Sequence, residues 1–465
     1  MSKTMLNQMK KTLLALREYT LEQGLQARLS LHREDSHLTR LANGSISLNT
    51  TESVTSLSVT AYGDRRTATA TLVCGLSDLG MMRQAVDRAA AMLPHASQLS
   101  FQPSFPHIQA DSVCEAGYDA ALAQLGSAGI LDYINAATRE LEDEDLTLGG
   151  SFSVGGTAWC TLSTATPHSV GWRLSDAQIT LVLASAKDKW EVNAEQSAQA
   201  LDDLDPSAMH RRLAFLKEQY LTREAARLPL GPMRVVFGAA ATAEYLSYLS
   251  YLGLYGSAMK QGNSIHREED IGKQALSDKI TVTEGPDCPG AFALPTDDFG
   301  RSRSTTAWYD KGVLRGFIWD QGAADEYAQT PTGHDLAHDS FALHPGDMSI
   351  NGLEELAAAP RDTDILYVPY LHYTGVVSPS EGLITGTSRF GALLLKKDGA
   401  IQVPYNVRFT ERLEDVFGGK LLWLSSESTV YNTSNTYGSR NPTALRVPRL
   451  MCCDRINVEI SNKSY

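Results

Sequence analysis

Three groups of residues carry side chains that could do chemistry. Asp297-Asp298, followed by Arg301 and Arg303, sets two carboxylates beside two guanidiniums; such a set makes either a charged clamp for a substrate or an ion-paired turn between strands. The stretch GHDLAHDSFALHPGD holds His334, His338 and His344 with Asp335 and Asp339. On a helix His334 and His338 would share a face and could hold a metal, whereas Pro331 and Gly333 favour a loop of polar histidines. His372-Tyr373 with Thr385, Thr387 and Arg389 combines an imidazole, hydroxyls and a guanidinium fork, a set able to bind a peptide or a carboxylate. Asp297, Asp298, Arg301, Arg303, His334, His372, Tyr373, Thr385 and Arg389 are therefore the candidate substrate-binding residues. No phosphate loop, GxGxxG or G-x-S-x-G occurs.

Composition narrows the class of function. The chain has 465 residues, 43% hydrophobic and 20% charged, enough for a sizeable core and for two or three domains. A net charge of −13 and no basic run longer than a pair argue against a nucleic-acid partner, which needs a clustered basic surface. The N-terminus lacks the apolar core of a secretory signal, and no stretch of about twenty apolar residues occurs, so no membrane partner is expected. Six cysteines without C-x-x-C spacing fit a reduced, cytoplasmic protein.

The elements that must position these residues are of mixed type. Leu6, Met9, Leu13 and Leu16 recur at helical spacing. SVTSLSVTAYGDRRTATATLVCG alternates and turns at Gly63-Asp64, a hairpin with one wet face. Ser77 caps a helix that Pro94 stops. Ile130, Ile134, Ala137 and Leu141 make another helix face, FSVGGTAWCTL reads as a hairpin around Gly155-Gly156, and Pro206 to Leu228 reads as a helix. The order helix, strands, helix thus recurs, a possible repeat of residues 1–100 and 125–230. LPLGP, at Leu228 to Pro232, marks the boundary between an N-terminal α+β domain (1–230) and a β-rich C-terminal domain (231–465). The expected class is α+β with mainly antiparallel sheets.

Two motif runs in the C-terminal half resemble the TldD/PmbA family, bacterial peptidase components long labelled modulators of DNA gyrase. The first is SDKITVTEGPDCPGAFALPTDDFGRSRSTTAWYDKGVLRGFIWD with TPTGHD, in which Asp297, Asp298, Gly300, Arg301, Arg303, Gly312, Val313, Thr332, Gly333 and His334 match. The second is LHYTGVVSPSEGLITGTSRFGALLLKKDGAIQVPYNVRFTE, in which His372, Tyr373, Gly382, Thr385, Gly386, Arg389, Arg408, Phe409 and Thr410 match. The resemblance implies a helix after the VVF strand that, in catalytic TldD-type chains, carries His-Glu-x-x-x-His for a metal and its general base. The segment AEYLSYLSYLGLYGSAMKQGNS occupies that place, and Ser247 to Leu252 supplies neither imidazole nor carboxylate. Of late thiols only Cys452 and Cys453 are present, so the family's C-terminal Cys ligand is hard to place.

The chain therefore resembles the metal-less, TldE-like branch. The resemblance implies a subunit without its own metal or other cofactor, shaping a peptide-binding cavity in proteolysis or peptide maturation. It would act in a homodimer or beside a TldD-type chain. An independent hydrolase using the histidine cluster, and a non-enzymatic module that binds an extended peptide by strand addition, are the alternatives. Ser247, Ser250, Gly253 and Ser257 form a small-residue stripe, read either as close packing in the core or as a subunit-contact or cleft-lining face.

Overall fold

The computed structural model describes residues 2–141, 145–223, 225–288, 292, 294–334, 340–434 and 439–462. The chain opens with α1 (Ser2–Glu22), whose Leu6, Met9, Leu13 and Leu16 are all buried, as their spacing predicts. Three antiparallel strands follow: β1 (Gln26–Ala42), β2 (Ser45–Gly63) and β3 (Arg66–Val73). Then comes α2 (Leu79–Met92), capped by the Asp78 carboxylate on the Met81 N–H rather than by Ser77. The same order returns in α3 (Ser127–Thr138), β4 (Leu146–Ser163), β5 (Ser169–Ser185), β6 (Trp190–Ala198) and α4 (Pro206–Thr222). All six strands join one sheet in the order β3-β2-β1-β4-β5, with β6 beyond β5.

One expectation fails here. FSVGGTAWCTL is no hairpin; β4 runs straight through Gly155 and Gly156, paired to β1 on one side and β5 on the other. The glycines serve close approach. A Cβ at Gly155 would lie 2.7 Å from the Asp35 carbonyl, and one at Gly156 would press on Tyr118 and Ala123. The helix expected over Pro206 to Leu228 also ends earlier, at Thr222.

The remaining strands form two further sheets. One holds β8 (Val282–Glu284), β9 (Thr306–Asp310) and β13 (Ser428–Asn432) with three short partners. The other is ten-stranded and includes β7 (Gly231–Gly238), β10 (Tyr370–Ser378), β11 (Leu383–Arg389), β12 (Asn406–Arg412) and β14 (Leu450–Asn462); β10 is its edge. The fold is thus α+β with antiparallel-rich sheets and few helices in the C-terminal half. Helix α5 (Ala239–Gly253) packs against strands of both sheets, and Tyr245, Leu246, Leu249 and Leu252 join their common core.

A polar strap ties the C-terminal half to the first sheet. Asn432 donates to Asp176 of β5 at 2.7 Å. The guanidinium of Arg440, fully buried, meets both Asp176 carboxylate oxygens at 2.6 and 2.9 Å and Ser153 at 2.7 Å, while its backbone N–H donates to Glu34. Among the described residues no helix is long and apolar enough to cross a membrane.

Candidate functional site

The candidate residues separate into two places. Asp297 accepts from the backbone N–H groups of Phe299 and Arg301 and pairs with the Arg301 guanidinium at 3.0 Å, which builds an ion-paired turn. Arg301 also bonds Gln321, which holds Asp325, and Asp325 accepts from Ser104 of the N-terminal half. Asp298 faces Arg28 of β1 at 3.5 Å. This turn therefore docks one half of the chain on the other. Arg303 and His334 are buried against β8 and β9 of the second sheet. Arg303 donates to the buried Glu284 at 2.8 Å, Trp308 donates to the same carboxylate, and the His334 ring stands edge-on to Trp308. His344 shares a hydrogen bond of 3.0 Å with Thr283. His338, with Asp335 and Asp339, lies outside the described residues.

His372, Tyr373 and Arg389 come together elsewhere, on the walls of a cleft of about 990 Å³ between β6, the end of α4 and the third sheet. Strands β10 and β11 pair so that His372 stands opposite Thr387, which lines the cleft as well. Thr385 sits one step further along β11. Its hydroxyl donates to the Phe409 carbonyl and accepts from Arg408, and it does not reach the cleft.

The cleft residues are held stiffly. Arg389 lies over the Phe390 ring at 4.4 Å and donates through Nε and Nη2 to a single Glu191 oxygen, at 3.0 and 2.8 Å. Burial and the neighbouring Arg389 charge lower the His372 imidazole below its ordinary range. Lys189, Tyr373 and Phe390 all line the cleft and all have left-handed backbones, with φ of 57°, 49° and 63°. Side chains rarely adopt such conformations, at a cost of roughly 1 kcal/mol or more each, and they persist where surrounding structure demands them.

Residues that sequence reasoning passed over complete the walls. Lys187, Lys189, Trp190 and Glu191 come from the β5–β6 hairpin, and Arg223 follows α4. The lysine pair in the turn Lys187-Asp188-Lys189 was a visible but weak signal. Beyond Glu191 on the same strand face lies Glu195. Its surroundings include Thr180, Arg212, Tyr370 and Tyr431, and it keeps only part of its surface accessible. Desolvation pushes its carboxyl up to about 7 against the pull of Arg212 and Thr180.

Comparison with known proteins places this architecture. Residues 230–458 match the family model described as PmbA/TldA metallopeptidase C-terminal domain. That span holds both motif runs, in order. The chain belongs to the TldD/PmbA family.

Solved structures of similar fold agree over nearly the whole length. TldE from Thermococcus kodakarensis superposes with a TM-score of 0.78 at 16% identity, covering 97% of this chain and 100% of that one. A Thermotoga maritima protein, described as a candidate modulator of a DNA gyrase, superposes at 0.73 with 14% identity, covering 97% and 99%. A Bacteroides thetaiotaomicron protein of like description gives 0.71 at 17%, covering 96% and 98%. No curated protein matches the sequence.

The metal that the family name implies does not fit the donors present. On α5, Leu249, Ser250 and Leu252 are buried in the core, while Ser247 and Tyr251 face outward; Ser and Tyr are not a zinc set. Cys452 and Cys453 lie near the start of β14, buried, with burial raising the pKa of both thiols and Cys453 hydrogen-bonded to the Val416 carbonyl. Among the described residues no three His, Cys, Asp or Glu side chains converge as a metal would require.

Proposed function

We propose that this TldD/PmbA-family chain is a subunit that holds a peptide in the cleft between its two halves and draws peptide-bond chemistry from a TldD-type partner chain. One observation carries the reading. The helix expected to present His-Glu-x-x-x-His instead packs Leu249, Ser250 and Leu252 into the core and turns Ser247 and Tyr251 outward. A family member without ligands on that helix keeps a scaffold but lacks the activated water of a metallopeptidase. The cleft then contributes binding and positioning through His372, Tyr373 and Arg389. Asp297, Asp298, Arg301, Arg303 and His334 act one step back, setting how the sheets meet.

The test is direct. The purified chain is expected to hold far less than one zinc per chain by elemental analysis and to leave unstructured peptides intact. Peptide cleavage is expected when a TldD-type chain is added. Stoichiometric zinc together with cleavage by the chain alone would overturn the reading and favour an independent hydrolase.

A further inference from the structure

The hydrogen-bonding inventory of the cleft is lopsided. Its two carboxylates are already engaged: Glu191 with Arg389, and Asp188 with the Ser185 hydroxyl. Its donors are not used up. Lys189 has no partner among the described residues, and its exposed ammonium stands on a hairpin turn fixed in a left-handed conformation. Arg389 commits Nε and Nη2 to one Glu191 oxygen, and Arg223 commits Nε to the Ile401 carbonyl and Nη1 to Thr222. Each guanidinium keeps a further nitrogen beyond those bonds.

Trp190 adds an independent sign. It is 7% exposed, its ring packs against Tyr220 at 5.5 Å, and its buried indole N–H has no hydrogen-bond partner among the described residues. A buried donor left unpaired is unfavourable by about 1–3 kcal/mol, and Trp190 is one of the residues that line the cleft. Charge points the same way. Lys187 pairs with Asp145 at 3.0 Å and Arg389 with Glu191, which leaves Lys189 and Arg223 against Asp188, a small positive excess in a chain of net charge −13. A ligand that only accepts hydrogen bonds and bears negative charge fits such a wall.

We infer that the cleft receives a carboxylate carried by an extended peptide, bound by Arg389 and Lys189 beside the Trp190 indole. The inference rests on the peptide-holding role proposed above and adds the substrate class. Arg389 is suited to this because Glu191 and the Phe390 ring already fix its guanidinium, so little side-chain freedom is lost on binding. Tyr373, 78% exposed at the rim, offers a ring for the chain that follows the carboxylate.

The experiment measures binding of the full-length chain to three probes by fluorescence anisotropy at low and physiological salt. The probes are Ala-Val-Ala-Leu labelled at its N-terminus with an uncharged dye, as the free acid, the same peptide as its C-terminal amide, and an amide in which one Ala is replaced by Glu. The free acid is expected to bind at least tenfold more tightly than the plain amide, with an advantage that shrinks as salt rises. The Glu-containing amide tells the source: binding equal to the free acid means that any peptide carboxylate serves, and weak binding means that the chain end is required. Lys189→Gln, on an exposed turn, is expected to reduce the advantage severalfold without unfolding the chain, and Arg389→Gln to abolish it. Equal binding of acid and plain amide would overturn the carboxylate inference while leaving the peptide role standing. Failure of all three probes to bind at millimolar concentration would overturn both.

Discussion

Glu195 and Arg440 show two outcomes for a charge taken into this molecule. Arg440 is fully satisfied by Asp176 and Ser153. Removing one side of such a buried pair leaves the other charge stranded, at a cost of about 3–5 kcal/mol. Arg440→Ala is therefore expected to lower the thermal and denaturant midpoints markedly, with Asp176→Ala nearly as damaging and the double variant less than additive. Glu195 is not satisfied in this way, and its folded-state carboxyl stands near 7, above its ordinary 4.5. Between those values the folded chain keeps a proton that the unfolded chain releases, so this group favours folding more as pH falls from 7 towards 4.5. Above 7 its ionised form weighs against folding by at most on the order of 3 kcal/mol. Glu195→Gln is expected to raise the unfolding midpoint at pH 8 and to leave it almost unchanged at pH 5. An equal shift at both pH values would sink the assignment. Neither residue stood out in the sequence, since an isolated Arg or Glu gives no sign of what will surround it.

At the scale of elements, much was legible because side-chain period records which face is buried. Leu6, Met9, Leu13 and Leu16 went where a 3.6-residue period puts them, and Leu57, Val59 and Ala61 where a two-residue period does. Glycine was the ambiguous letter. Gly155-Gly156 read as a turn and proved to be a close approach between strands. The small-residue stripe of α5 divides likewise: Ser247 faces out, while Ser250 and Gly253 are buried. At Gly253 a Cβ would lie 2.5 Å from the Tyr309 hydroxyl, which shares a 2.8 Å hydrogen bond with the buried His266 ring. Gly253→Ala must displace that hydroxyl, so a loss of about 1–3 kcal/mol is expected, read as a lower unfolding midpoint. Ser250→Trp should damage the chain's own core for the same reason. A subunit contact is thus better probed on the exposed Tyr251 than on the buried stripe. An unchanged midpoint for Gly253→Ala would show that Tyr309 yields freely.

At the scale of the whole molecule, the cleft is built from five separated parts of the chain. His372, Tyr373 and Arg389 could be picked out by type, but no local pattern says that the Lys187–Glu191 hairpin and Arg223 will close over them. Assembly poses the same problem. Dimerisation is predicted through the C-terminal half, with a strand rather than the small-residue stripe of α5 as the contact. Helix α5 is largely covered by the chain's own two sheets, so it no longer calls for a partner. Strand β10, in contrast, is the edge of the ten-stranded sheet and leaves Val376 and Val377 exposed; it joins α5 through the 2.5 Å bond from Thr374 to Glu244, on the face where Tyr251 is 51% exposed. An edge that bears exposed apolar side chains invites pairing, and the two register shifts along β10 blunt it against open-ended stacking. A closed, two-fold contact with a second copy, or the equivalent contact with a TldD-type chain, satisfies both facts. The chain is accordingly expected to sediment as a dimer at micromolar concentration. Tyr251→Ser combined with Val377→Ser should shift it to monomers with an unchanged circular dichroism spectrum. A wild-type chain that sediments as a monomer both alone and mixed with a TldD-type chain would leave β10 as an edge protected by its bulges alone.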